Sequence, residues 1–252
     1  MSKKLKVQHA LLVLCAAFAS SALALAQEHD HEHSSAEKSP PREFSGDPYL
    51  LDTDPVTGKK LGPVKELVVI QHDGRELRFN GDESLRTFRA DPAKVLAKVD
   101  SALIRQQLPH YPLETCPVSG GDLGGMGEPV NLVYKNRLIR FCCKGCEPKF
   151  LKDPGKFVAA LDAAVVATQG SKYPLKTCLV SGEELGGEMG DPIDLVIGNR
   201  LVRLCCKGCK KQIVKDPLAY LGKLSAPGAK RGHGEKGHEH GHDDHGHGHD
   251  GR

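Results

Sequence analysis

Residues 132–146 read LVYKNRLIRFCCKGC, and residues 195–209 read LVIGNRLVRLCCKGC. In each stretch two short apolar runs flank a polar two-residue step, the pattern of a β-hairpin. Each hairpin runs into three cysteines within five positions: Cys142, Cys143 and Cys146, then Cys205, Cys206 and Cys209. Upstream of each lies a turn-rich segment with one more cysteine, YPLETCPVSGGDLGG with Cys116 and YPLKTCLVSGEELGG with Cys178. Downstream lie FLKDPGKFVAAL and IVKDPLAYLGKL, in which Asp-Pro supplies an N-cap and a first-turn proline to a helix. Phe157, Val158 and Leu161 have the spacing of one buried helical face. Cys116 and Cys178 are 62 residues apart and Cys142 and Cys205 are 63 apart, so one residue is inserted near Glu188.

Internal repetition governs the rest of the reading. A third copy runs from Tyr49 to Val99 at a constant offset of 62 from residues 111–161, without a gap. It opens YLLDTDPVTGKKLG, carries Asp73-Gly74 at its hairpin turn and has its own Asp91-Pro92. Its thiol positions are all replaced: Asp54, Asn80, Gly81 and Ser84 stand where Cys116, Cys142, Cys143 and Cys146 would be. The expected fold is α+β: tandem small units, each a knuckle, a β-hairpin and short helices, arranged like a treble clef, followed by a disordered His-rich tail.

The thiols admit three chemistries. Cys116 on a knuckle and Cys142, Cys143 and Cys146 at a strand-to-helix junction can converge on a metal ion, as can Cys178, Cys205, Cys206 and Cys209. A helix N-terminus and the neighbouring Lys144 and Lys207 favour thiolate. The same cysteines can instead form structural disulfides that staple a small core, or a C-x-x-C redox pair. Haem attachment is excluded, because Glu147 and Lys210 follow the C-x-x-C pairs where His would be needed. The thiol-free copy favours function over scaffold, since it keeps the turns and caps without any staple. Spacing leaves open which of Cys142 and Cys143, and of Cys205 and Cys206, faces an ion. Asp54 and His72, each alone, read as ordinary surface residues.

The pattern TCPVSG…YKNRLIRFCCKGC…F…DP resembles the YHS and TRASH-like heavy-metal-binding domains, and DPVTG at 54–58 is similar to the opening of YHS domains. The resemblance covers residues 49–224. It implies C-x3-C ligands after the hairpin, Cys142 with Cys146 and Cys205 with Cys209, joined by Cys116 and Cys178 from the knuckles. It also implies metal sensing, trafficking or resistance without catalysis. The additional Cys143 and Cys206 depart from the family pattern, which commonly has Ser there.

The ends of the chain read differently. Residues 1–26 have the form of a signal peptide, with Lys3, Lys4 and Lys6 before an apolar run ending Ala24-Leu25-Ala26. Cys15 lies within it and is expected to be discarded. Cleavage implies a periplasmic or secreted protein without a stable membrane span. Residues 27–48 are expected to be a His-containing linker, followed by a Cys-free repeat (49–108), two Cys-bearing repeats (109–168 and 173–225) and a disordered tail (226–252). Cleavage would leave Gln27-Glu28-His29 at the N-terminus. A free amine, two backbone nitrogens and the His29 imidazole suit square-planar Cu(II) or Ni(II), with His31 and His33 adjacent. In the tail, His233, His238, His240, His242, His245, His247 and His249 offer exchangeable sites. Copper or zinc is the leading metal, with nickel a candidate at the His tracts. A formal charge of only +3 on 252 residues lacks a nucleic-acid footprint. The expected partners are metal ions and a metal efflux or delivery protein. Two other functions stay open: a structural or interaction protein with disulfide- or zinc-stabilised repeats, and a periplasmic thiol–disulfide carrier.

Overall fold

The computed structural model describes residues 45–188 and 190–224. The signal segment, most of the linker with His29, and the His-rich tail lie outside these residues. The fold is α+β. Three antiparallel hairpins follow one another: β1 (Val68–His72) with β2 (Arg75–Phe79), β3 (Val130–Tyr134) with β4 (Arg137–Phe141), and β5 (Ile193–Ile197) with β6 (Arg200–Leu204). After each comes a pair of helices: α1 (Asp82–Ala90) and α2 (Pro92–Gln107), α3 (Glu147–Lys152) and α4 (Pro154–Gln169), α5 (Lys207–Lys215) and α6 (Pro217–Leu221). Among the described residues no helix is long and apolar enough to cross a membrane.

Local chemistry accounts for these elements. The hairpin turns Asp73-Gly74, Lys135-Asn136 and Gly198-Asn199 all have positive φ at both residues, the backbone that matches strand twist in a two-residue turn. Gly198 has a second reason, since a Cβ there would stand 2.7 Å from the Leu50 side chain. The Asp-Pro caps form as expected. The carboxylates of Asp91, Asp153 and Asp216 accept hydrogen bonds from the N–H groups of Lys94, Lys156 and Ala219, which satisfies first-turn donors.

Packing joins the copies unequally. The first and third share one apolar core, with Tyr49, Phe79 and Phe88 beside Cys178, Val202 and Ile213. The second has its own, built on Phe141, Phe150 and Leu161 around Cys116, Cys142 and Cys146.

Neighbouring copies are locked by a repeated amide clamp. Gln107, at the end of α2, donates to the Asn136 carbonyl at 2.7 Å and accepts from the Leu138 N–H at 2.8 Å. Gln169, at the end of α4, does the same to Asn199 and Leu201, at 2.9 and 2.8 Å. Each turn asparagine reaches back to the preceding hairpin: Asn136 donates to the Glu76 carbonyl and Asn199 to that of Leu138. Thus the unpaired polar groups of one hairpin edge are satisfied by the copy before it.

One expectation changes at the linker. Asp47, assigned to 27–48, is buried and forms a bidentate pair with the fully buried Arg137, at 2.6 and 2.8 Å. It also accepts from the Gly198 N–H at 2.7 Å, while Arg137 reaches Asp162 and the Val196 carbonyl. A buried guanidinium needs its charge and donors matched, and a carboxylate from the entering chain completes the set.

Candidate metal centres

Each thiol cluster forms where the knuckle folds against the strand-to-helix junction. In the second copy, the Cys116 N–H donates to the Gly121 carbonyl at 2.8 Å and the Gly120 N–H returns to the Cys116 carbonyl at 2.8 Å. The third copy repeats this with Cys178, Glu183 and Gly182, at 2.7 and 2.9 Å. This tight loop points several N–H groups at the knuckle sulfur. Burial alone would raise the Cys116 pKa, but hydrogen bonds from the Ser119 hydroxyl and from the N–H groups of Cys142, Ser119 and Val118 bring it down to about 6. Cys178 is likewise lowered to about 6, against burial, by Ser181 and the N–H groups of Ser181, Cys205 and Val180.

The other thiols close around this sulfur. The sulfurs of Cys116, Cys142 and Cys146 all lie within 4.8 Å of one another and are buried, as are those of Cys178, Cys205 and Cys209. Cys142 Sγ is 3.8 Å from Cys146 Sγ, and Cys205 Sγ is 3.8 Å from Cys209 Sγ. Zinc with thiolates at about 2.3 Å in a tetrahedron has an edge of about 3.8 Å, so these thiols are spaced as ligands. Cys146 and Cys209 are pushed up to about 12, chiefly by burial and then by neighbouring thiols.

Cys143 and Cys206 occupy a different place. Both are partly exposed and stand outside the mutually close trios, yet their sulfurs lie 3.9 Å from Cys146 and 3.7 Å from Cys209. The pKa of Cys143 is lowered first by the Gly145 N–H, and that of Cys206 first by the Cys209 N–H. Backbone N–H groups of the helical turn thus lead the effect, with the Cys146 and Cys209 thiols adding to it. The geometry places C-x3-C pairs in the buried trios and the adjacent thiols at their edge. All eight cysteines among the described residues are free thiols.

Two contributors escaped the sequence reading. Ser119 Oγ lies 3.3 Å from Cys142 Sγ, and Ser181 Oγ lies 3.3 Å from Cys205 Sγ. The signal was present as the Ser shared by PVSG and LVSG, three residues after each knuckle cysteine. The other is Asp54. Instead of lying on the surface it is buried, and its carboxylate occupies the knuckle of the Cys-free copy. It accepts from the N–H groups of Val56, Thr57 and Asn80 at 2.9, 3.0 and 2.9 Å. Burial opposes ionisation, but these bonds and one from Ser84 hold its pKa below the usual carboxylate range.

No family model matches the chain, and no curated protein or solved structure matches it either. The two cysteine trios are therefore the basis for a functional reading: each can hold a metal ion.

Proposed function

We propose that this chain is an exported heavy-metal-binding protein that traffics, buffers or detoxifies its ion and performs no catalysis of its own. Its repeats are read as treble-clef-like, related to YHS and TRASH-like domains. The tight sites are Cys116, Cys142 and Cys146, and Cys178, Cys205 and Cys209. Cys143 and Cys206 are edge thiols suited to receiving or passing on the ion. The His-rich ends would collect divalent ions more loosely, and an efflux or delivery protein would be the partner. The observation that carries this reading is that the same three-sulfur arrangement is built twice, at ligand spacing, around a knuckle cysteine.

Elemental analysis and thiol counting on protein isolated anaerobically from the exported fraction test it. The expected result is two ions per chain, eight thiols titratable after chelation, and retention of the fold. Zero free thiols in the fresh protein would overturn it.

One observation favours the carrier reading: within each C-x-x-C the first thiol is partly exposed with a lowered pKa, and the second is buried with a raised one. That reading predicts reversible oxidation of Cys143 with Cys146 at a defined potential in protein that takes up no metal.

A further inference from the structure

The chain contains three methionines, Met1, Met126 and Met189. Met126 lies in the loop between knuckle and hairpin of the second copy, in the segment GGMG, and Met189 lies in GGEMG, the matching segment of the third. The corresponding position of the first copy, 62 residues before Met126, is Val64. Thus the two copies that carry thiols carry a methionine, and the copy without thiols has none.

Met126 shares an open cleft with three of the thiols. It lines this cleft together with Ser119, Cys142, Cys143, Cys146 and Lys149. It is 73 % exposed, the most exposed large apolar side chain among the described residues, so packing does not explain its presence. Gly124 and Gly127 beside it adopt positive φ, and the Gly125 N–H donates to the Asp122 carbonyl. These turns form a small glycine-rich loop that holds a long, flexible, unbranched side chain at the rim of the cleft.

A thioether is a neutral, soft donor. It adds little to Zn(II), which is served by thiolate, imidazole and carboxylate, and it adds markedly to monovalent copper. Building on the thiolate reading above, we infer that Met126 supplies a thioether to the site of Cys116, Cys142 and Cys146, selecting a soft monovalent ion, Cu(I) or Ag(I), over Zn(II). The donor set is then all sulfur, and the methionine closes the side that faces solvent.

The test is methyl NMR on the full chain, reduced and labelled with [methyl-13C]methionine, titrated anaerobically with Ag(I), Cu(I) and Zn(II). The Met126 signal is assigned by its loss in Met126→Leu, a substitution at an exposed position that leaves the fold intact. It should shift with the first equivalents of Ag(I) or Cu(I) and stay in place with Zn(II). In a Cys178→Ser, Cys209→Ser background that leaves one thiol site, Met126→Leu should weaken Cu(I) about tenfold against a competing chelator and leave Zn(II) unchanged. Tight binding of Cu(I) or Ag(I) with an unmoved Met126 methyl and no change in Met126→Leu overturns the thioether while the thiolate reading stands. Failure of all three ions to bind removes the thiolate site itself, and the thioether with it.

Discussion

The first and second copies build the same knuckle around different anions. In the first, the Asp54 N–H donates to the Lys59 carbonyl and the Gly58 N–H to the Asp54 carbonyl, each at 2.8 Å, as Cys116, Gly121 and Gly120 do in the second. The N–H groups of Val56, Thr57 and Asn80 meet a carboxylate. Their counterparts 62 residues on, those of Val118, Ser119 and Cys142, meet the Cys116 sulfur and lower its pKa. The knuckle is therefore an anion-binding nest of backbone donors, and the junction beneath it is tied to that anion in either case. Where cysteines supply the anion, the sulfurs leave room for an ion among them. Where aspartate supplies it, Asn80 and Ser84 fill the space with hydrogen bonds, Asn80 bridging Gly62 and Lys60. The lesson is that the knuckle offers the same backbone donors to a carboxylate or to a sulfur, and a candidate metal site arises where that acceptor is a cysteine with two thiols facing it.

The strongest way to break this comparison is to convert one copy into the other. Asp54→Cys, Asn80→Cys and Ser84→Cys together place thiols on an equivalent backbone, and the metal count should rise from two to three ions per chain by native mass spectrometry. The change removes the Asn80 hydrogen bonds, at about 1 kcal/mol each, which a bound ion would offset. A count that stays at two, in folded protein, would show that matching hydrogen bonds do not make the two junctions equivalent.

A smaller effect separates the two anions by their dependence on metal. Asp54→Ala leaves three N–H donors without their acceptor. The expected cost is about 3 kcal/mol in denaturant unfolding, equal with and without a chelator. Cys116→Ala should cost more in loaded protein than in stripped protein, because binding to the native state alone adds stability by mass action. Equal losses in both conditions for Cys116→Ala would mean that its thiol is structural.

Much of this arrangement was legible in the chain. The hairpins, the Asp-Pro caps and the convergence of Cys116 with the CCKGC phrase follow from local rules that act within a few residues, and repetition confirmed each of them. What stayed hidden depends on contacts between copies. Gln107 and Gln169 look like ordinary helix ends until the next hairpin presents a free carbonyl and N–H to them. Asp47 reads as linker because its partner Arg137 lies 90 positions away. Asp54 reads as surface because a carboxylate inside a knuckle is recognised only by the N–H groups around it. Alignment of the copies placed it opposite a cysteine, and the shared need of both for hydrogen-bond donors was the physical clue.

The subtlest difference between the copies lies in their response to pH when no metal is bound. In the unfolded chain cysteine titrates near about 8.5 and aspartate near about 4. Cys116 and Cys178 are lowered to about 6 in the fold. Their contribution to stability is complete above about 8.5 and is lost as pH falls through about 6. Cys146 and Cys209, raised to about 12, act oppositely: their contribution is complete below about 8.5 and is lost as pH rises toward about 12. The two thiol sites should therefore give the stripped protein a stability maximum near pH 8.5. Asp54, lowered from the usual carboxylate range, keeps its contribution down to about pH 4 and loses it below, so the first copy adds nothing to the slope between 6 and 8.5. Denaturant midpoints measured in chelator from about pH 6 to about pH 10 should fall on both sides of the maximum. Cys116→Ser with Cys178→Ser should reduce the slope chiefly on the acid side, and Cys146→Ser with Cys209→Ser chiefly on the alkaline side, because these thiols also shift one another. A parent profile that is level from 6 to 8.5 would show that the knuckle thiols are not held as thiolates before an ion arrives, and that the likeness between Asp54 and Cys116 extends to position but not to charge.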